Sequence, residues 1–355
     1  MPVLNDELQK LHHIFDQLDL LNQVKESDLS DFSKRALLRY YFVGIDNLLK
    51  LVGWIKNETH RNSKLDAVSI KELENGISAL RASYDATYDL IRDKLTAHQQ
   101  ELDLADTITW WNEIDSTTIG VFQSDVSAIR LQLAKAYPPL EVGIDRLTLD
   151  FSDEHQSTDT SRVQMNVTRL SMAIPNAVSL LPCKGSQHKG GMITAALRFI
   201  RADFYFTIKG QDWKSKQQYL LFELGWLLAI IDITSILDCL YDDIKEPSLL
   251  TFWAQDSMRG LPVLAQFNRD HVLEAEMREV RNKFAAHLDS KYSLDASRKL
   301  LEHLNLERVH EYCIALANSF LEACRSDIRS KLFLIDGMEI SGVISVSGDA
   351  SKPFS

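Results

Sequence analysis

Two seven-residue segments, RDKLTAH at 92–98 and RNKFAAH at 281–287, share four identical residues and lie 189 residues apart. The same offset matches the apolar positions of 41–55 with those of 230–244. A similarity that extends beyond the short segments indicates duplication of a helical unit. Apolar stripes at helical spacing precede both segments: Tyr84, Tyr88, Ile91 and Leu95 in the first, Leu273, Met277, Val280 and Phe284 in the second.

The repeat predicts a mainly α chain made of two similar helical bundles that form a pseudo-two-fold pair. A length of 355 residues suits two domains. We place the first bundle at 1–141 and the second at 190–330. The linker 142–189 and the tail 331–355 contain alternating apolar residues, which predict a few short β-strands, at 147–151, 163–170 and 335–341.

A further helix is expected after each segment. In the first half it covers 107–137, and the pair Pro138-Pro139 then closes the bundle. In the second half it covers 306–328. The spacing of that helix points five side chains inward: Val309, Cys313, Leu316, Phe320 and Cys324.

The segment Tyr219–Leu240 is long and apolar enough to suggest a membrane span. Because Glu223, Asp232 and Asp238 interrupt it, and such charges are costly in hydrocarbon, we expect a buried core helix. The start MPVLNDELQK does not resemble a signal peptide. The sequence therefore predicts a cytoplasmic protein without membrane contact.

The cysteines and the net charge restrict the remaining classes. Four scattered cysteines without a CxxC pair indicate buried thiols, not disulfides: Cys183, Cys239, Cys313 and Cys324. A net charge of −11 disfavours a surface coated with nucleic-acid-binding charge, so any contact with RNA has to be local.

The repeated segments carry the candidate chemistry. In an α-helix, six residues separate arginine from histidine by about 120° around the axis and about 9 Å along it. His98 continues the apolar stripe and Arg92 flanks it, so both border whatever packs there. Packing about a pseudo-two-fold axis would bring four side chains into one cleft: Arg92, His98, Arg281 and His287.

Two histidines and two arginines suit RNA cleavage by the ribose 2′-hydroxyl without a metal or cofactor, because histidine titrates near neutral pH. One histidine would remove the 2′-hydroxyl proton and the other would protonate the departing 5′-oxygen, while the arginines bind the phosphorane. Asp93 and Asn282 would orient the arginines or fix a histidine tautomer. Lys94 and Lys283 are candidate RNA contacts.

At these residues the chain resembles the HEPN family, whose motif has an arginine, an adjacent polar residue and a histidine four to six residues later. The resemblance implies helical bundles that dimerise through the motif helix, with two such domains in one chain. It implies a metal-independent endoribonuclease of toxin, abortive-infection or CRISPR systems, with an antitoxin or nucleotidyltransferase partner and a homodimer as further expectations. It assigns catalysis to Arg92, His98, Arg281 and His287, with Asp93 and Asn282 at the polar position.

A non-catalytic alternative stays open. The duplicated segment would then serve as a structural interface in a helical interaction or ligand-sensing module, because arginine and histidine also occur where helices end. Separately, Arg198–Lys216 interleaves basic and aromatic residues and is either an RNA-contact surface or, as we expect for most of its aromatic residues, core.

Two weaker patterns are rejected as sites. KGSQHKGG at 184–191 lacks the ending of a phosphate-binding loop, so we interpret it as a flexible linker. His303, His310 and Cys313 share a helical face but need further ligands to hold a metal, and no metal site is predicted.

Overall fold

The structure is a computed structural model that describes residues 2–29, 31–62, 64–92, 111–141, 143–144, 186–208, 216–241, 260–286, 288 and 292–332. Over these ranges the chain is mainly α and contains no strand, which confirms the predicted class. The three predicted strands lie outside the described residues.

The first half is a helical bundle of α1 (Pro2–Glu26), α2 (Asp31–Leu38), α3 (Tyr40–Arg61), α4 (Ala67–Ile91) and α5 (Ser116–Ala136), followed by a 3₁₀ turn at Pro138–Glu141. Helices α1, α3, α4 and α5 pack in a ring, and the short α2 leads into α3. Gly44 allows α1 and α3 to approach closely, because a Cβ at that position would lie 2.7 Å from Leu18 Cδ2.

The helices of the second half are α6 (Ser186–Thr207), α7 (Lys216–Tyr241), α8 (Gly260–Ala265), α9 (His271–Val280), α10 (Leu294–His303) and α11 (Leu306–Leu332). The central helix is α7, which packs against α6, α9, α1 and α2. By length and composition α7 could cross a membrane, but 89% of its most apolar window is buried in the protein. The prediction of a buried core helix is confirmed.

The apolar stripes lie in the core as predicted wherever they are described. Leu273, Met277, Val280 and Phe284 are buried along α9 and just beyond it, and the five inward positions of α11 are all buried. In the first half Tyr84 and Ile91 are buried and Tyr88 packs against the core. Amphipathic spacing is therefore a sound guide to these helices.

Two sequence-based boundaries are wrong. The expected helix 107–137 is interrupted at Ile114–Asp115, because the Asp115 side chain accepts a hydrogen bond from Thr118 N–H and so caps the start of α5. The expected flexible linker up to residue 189 is wrong from Ser186 onward, where α6 begins.

The aromatic residues of Arg198–Lys216 are mainly core, as expected. Phe199, Tyr205 and Phe206 are buried in α6, and Phe204 is partly buried. Trp213 lies outside the described residues. The RNA-contact interpretation of this segment therefore loses most of its aromatic surface.

The two halves share one continuous hydrophobic core, and buried charges cross between them. Asp232 on α7 accepts from Arg39 at 2.8 Å and from Arg201 at 2.7 Å, and these three residues are called the core cluster. The Tyr205 hydroxyl donates to the Ala36 carbonyl at 2.7 Å. The halves are thus fixed against each other, while a two-fold relation between them stays a prediction.

Candidate active site

The second segment departs from α-helical geometry. After α9 ends at Val280, Arg281–Ala285 form a π-helical turn closed by a hydrogen bond from Ala286 N–H to the Arg281 carbonyl at 2.8 Å. The expectation of a regular α-helix here is wrong. Phe284, Ala285 and Ala286 are consecutive and all buried. A π turn has more residues per turn than an α turn, so three consecutive side chains are spread over a smaller angle around the helix axis. Single π turns are frequent at functional sites.

The two motif arginines have nearly the same backbone conformation. Arg92 has φ −55° and ψ −52°, and Arg281 has φ −55° and ψ −50°. Each immediately follows the last residue of an α-helix, α4 and α9 respectively. The two segments therefore begin in the same way.

In the first half an aspartate of α3 holds the motif arginine. Arg92 Nη1 lies 2.6 Å from Asp46 Oδ2, and Arg92 Nη2 lies 3.4 Å from Asp89 Oδ1. The side chain of Arg92 is only 11% exposed. Lys50 Nζ also lies 2.6 Å from Asp46 Oδ2, one helical turn along α3. Asp46 thus joins the motif arginine to a second cation.

In the second half an aspartate of α7 has the same role. Asp238 Oδ2 lies 2.8 Å from Arg281 Nη1, and its Oδ1 lies 2.7 Å from Arg278 Nη2; these three residues are called the rim cluster. Asn282 Oδ1 accepts a further hydrogen bond from Arg281 Nε at 3.2 Å. The polar residue next to the arginine therefore contacts it directly.

The rim cluster keeps its carboxylate ionised. Burial alone would raise the pKa of Asp238, but Arg281 and Arg278 more than offset this and hold that pKa below its usual value. Arg278 Nη1 also lies 3.5 Å from Glu274 Oε2, so a second carboxylate borders the rim cluster.

The second segment reaches the first half at α3. The backbone N–H of Leu288, the residue after His287, donates to Asn47 Oδ1 at 3.4 Å. Asn47 is the neighbour of Asp46, which binds Arg92. The end of the second segment and the arginine of the first therefore meet on consecutive residues of α3.

The π turn also contacts α1. The His13 ring centroid lies 6.0 Å from that of Phe284. His13 Nε2 lies 3.0 Å from Glu223 Oε1 of α7, and Arg298 of α10 lies 3.0 Å from Glu223 Oε2. Burial would raise the pKa of Glu223, but His13 and Arg298 lower it. These buried contacts hold the second segment against the first half.

Several predicted site residues lie outside the described part of the chain: Asp93, Lys94, His98 and His287. Of the others, Lys283 Nζ lies 4.8 Å from the centre of the Tyr292 ring. That the side chains of both arginines and both histidines meet in one cleft stays a prediction. What the structure brings together is Arg92 with α3, Arg281 with α7, and Leu288 with α3.

Sequence reasoning missed Asp46, Asp238, Lys50 and Arg278. The aspartates were detectable as acidic residues in apolar helices, and Asp238 was noted there only as an interruption. The repeat did not match the two aspartates with each other, because they lie 192 residues apart, whereas the motif arginines lie 189 residues apart. A single offset cannot align the aspartates and the arginines at once.

No metal cluster accompanies these residues: within the ranges described, no three His, Cys, Asp or Glu side chains are placed to hold an ion. Cys239, Cys313 and Cys324 are buried free thiols, and Cys183 lies outside the described residues. No protein-family model, curated protein or solved structure matches the chain.

Proposed function

We propose that the protein is a metal-independent endoribonuclease whose active site forms between its two halves from Arg92, His98, Arg281 and His287. The observation that carries the proposal is the hydrogen bond from Leu288 N–H to Asn47. It brings the residue after His287 to the position next to the aspartate that holds Arg92. A site that needs groups from both segments requires this proximity.

In the proposed reaction the two histidines divide the proton transfers. One accepts the proton of the ribose 2′-hydroxyl as that oxygen attacks phosphorus, and the other donates a proton to the departing 5′-oxygen. The products are a 2′,3′-cyclic phosphate and a 5′-hydroxyl. The arginines stabilise the charge that develops on the phosphorane oxygens.

The ion pairs support this role because they hold the guanidiniums in place before RNA binds. Arg92 is held by Asp46, and Arg281 by Asp238 and Asn282. Groups aimed in advance stabilise a transition state more effectively than groups that must reorganise. RNA phosphates would compete with these carboxylates for the same guanidiniums.

The decisive experiment is incubation of the full chain with single-stranded RNA in EDTA, followed by analysis of the product ends. We expect cyclic phosphate ends, and a loss of at least about 100-fold in rate for His98→Ala and for His287→Ala. His60→Ala, an exposed histidine on α3, is the matched control and should cleave normally. Intact RNA at high concentrations of wild-type protein would refute the proposal.

An RNA-cleaving protein of this kind suits a toxin or phage-defence effector in the cytoplasm. Expression of the wild-type chain should then slow growth of the host cell, and His287→Ala should relieve the effect. Equal growth with the two chains would argue against this biological role without bearing on the chemistry.

A specific observation favours the interaction-module alternative. The motif arginines are only 11% and 13% exposed, and aspartates already neutralise them, as expected of structural ion pairs. In that case Arg92→Ala would destabilise the fold and no variant would affect RNA. The EDTA assay separates the two functions because only the enzyme produces cyclic phosphate ends.

A further inference from the structure

Each motif arginine shares its aspartate with a second cation that the repeated segment does not include. In the first half Lys50 and Arg92 both lie 2.6 Å from Asp46 Oδ2. In the second half Arg278 and Arg281 bind the two oxygens of Asp238 at 2.7 and 2.8 Å. The cations of each pair are therefore close neighbours.

The second cations lie nearer to solvent than the motif arginines. The side chains of Lys50 and Arg278 are 57% and 31% exposed, against 11% for Arg92 and 13% for Arg281. Each site thus has an inner guanidinium and an outer cation on the solvent side of the same carboxylate.

Lys50 faces the place where the halves meet. It follows Asn47 by three residues on α3, so the two share a helix face, and Asn47 accepts from Leu288 N–H. Arg278 precedes Arg281 by three residues and occupies the same face at the end of α9. Both outer cations border the proposed active site.

Stability does not account for these outer pairs. Ion pairs this exposed contribute little to folding, since water screens them and ordering the long side chains costs entropy. A second carboxylate also borders each pair of cations, Asp89 beside Arg92 and Glu274 beside Arg278. Lys50 and Arg278 are nevertheless the more exposed cation of each pair. Phosphate oxygens are suitable ligands for such exposed cations, through charge-assisted hydrogen bonds.

We propose that Lys50 and Arg278 bind RNA phosphates on the two sides of the scissile bond, and that Asp46 and Asp238 position them beside the motif arginines. The inference rests on the proposed function for the identity of the ligand. It assigns the outer cations to substrate binding and leaves the chemistry to the four motif residues.

The test uses a single-stranded 2′-O-methyl oligonucleotide, which lacks the attacking hydroxyl and reports binding alone. Its affinity for the full chain is measured against salt concentration for wild type, Lys50→Ala and Arg278→Ala. Each variant should lower the slope of log affinity against log salt by about 0.7, the value for one lost phosphate contact on a single strand. Kd at low salt should rise about fivefold to tenfold.

Matched controls remove the same charges elsewhere on the first half. Lys71→Ala and Arg81→Ala replace exposed cations of α4 and should leave slope and Kd unchanged. If all four variants lower the slope equally, the attraction is a general property of the surface charge and the inference is wrong.

The inference and the proposed function fail in different ways. Wild-type protein that cleaves RNA, with unchanged KM and salt slope in Lys50→Ala and Arg278→Ala, would overturn only the inference. Oligonucleotide binding that depends on both cations, with no cleavage of ordinary RNA, would support the binding role and refute the nuclease. Absence of any binding by the wild-type chain would overturn the inference.

Discussion

Two aspartates six residues apart on α7 each bind two arginines, in very different surroundings. Asp232 of the core cluster is 0% exposed, and its partners Arg39 and Arg201 are 0% and 6% exposed. Asp238 of the rim cluster is 31% exposed, as is Arg278. One carboxylate with two guanidiniums thus occurs twice. It is sealed between the halves in the core cluster, and it lies near the surface in the rim cluster, where one guanidinium belongs to the motif residue Arg281.

The difference separates a structural role from the binding role that we propose for the rim cluster. In the core cluster every charge has lost its water, so each depends on its partners, and removal of one leaves an uncompensated buried charge. In the rim cluster water still solvates the groups, so the pairs add little to stability. The core cluster therefore fixes how the halves pack, whereas we propose that the rim cluster binds a ligand.

The largest expected effect is on stability, from Asp232→Asn. This change keeps the shape of the side chain but leaves two buried guanidiniums without their carboxylate, at a cost of about 3–5 kcal/mol in the free energy of unfolding. Asp238→Asn, the matched change on the same helix, should cost less than about 1 kcal/mol. Urea unfolding of both full-length variants measures this, and equal losses would abolish the distinction between the clusters.

A third carboxylate, Asp203 on α6, tests what happens when burial dominates. Burial raises the pKa of Asp203 to about 7, in contrast to the lowered pKa of Asp238. The unfolded chain ionises this group at lower pH, so the folded state loses stability as pH rises between the two pKa values. Asp203→Asn should therefore stabilise the protein at pH 8, by roughly 2–3 kcal/mol.

The matching measurement is the free energy of unfolding of wild type and Asp203→Asn at about pH 4 and pH 8. The gain should be present at the higher pH and nearly absent at the lower one. A gain of the same size at both would show that the substitution acts through packing.

Much of the helical framework was predictable because its signals are local. The inward positions of α11 and the stripe of α9 follow from helical spacing in the printed sequence. The start of α5 was also predictable, because Asp115 directly before Ser116 is a recognisable N-cap. The prediction of one continuous helix over 107–137 missed this cap.

The ion pairs of the site were not predictable, because they depend on which helices meet. Arg281 and Asp238 are 43 residues apart, and nothing near either position indicates the other. The π turn depends on a hydrogen-bond shift that packing of Phe284 to Ala286 favours, which apolar periodicity does not encode. The ion pairs and the π turn depend on long-range packing, which local sequence patterns do not reveal.

A smaller effect is expected on activity, from Asp238→Asn. The two rim arginines would lose the carboxylate that positions them, so kcat/KM for RNA should fall about tenfold while the fold stays intact. Asp238→Glu should recover part of the loss, because it restores the charge at a slightly different reach. Unchanged kcat/KM in Asp238→Asn would place the rim cluster outside the active site.

The smallest expected effect is on the free energy of unfolding at acid pH. The lowered pKa of Asp238 means that its contribution is present above the unfolded pKa and is lost as pH falls through the folded one. Between about pH 5 and pH 3, wild type should lose up to about 1 kcal/mol more than Asp238→Asn. Parallel unfolding curves for the two chains would contradict this.

The π turn at Arg281–Ala285 has a consequence for how such proteins diverge. A π turn accommodates one more residue than an α turn between the same two flanking helical segments, so it can absorb a one-residue insertion. The count of residues from arginine to histidine is then not fixed by helical periodicity. A sequence search that allows one residue more or fewer in this interval therefore fits the turn better than a search with one rigid spacing.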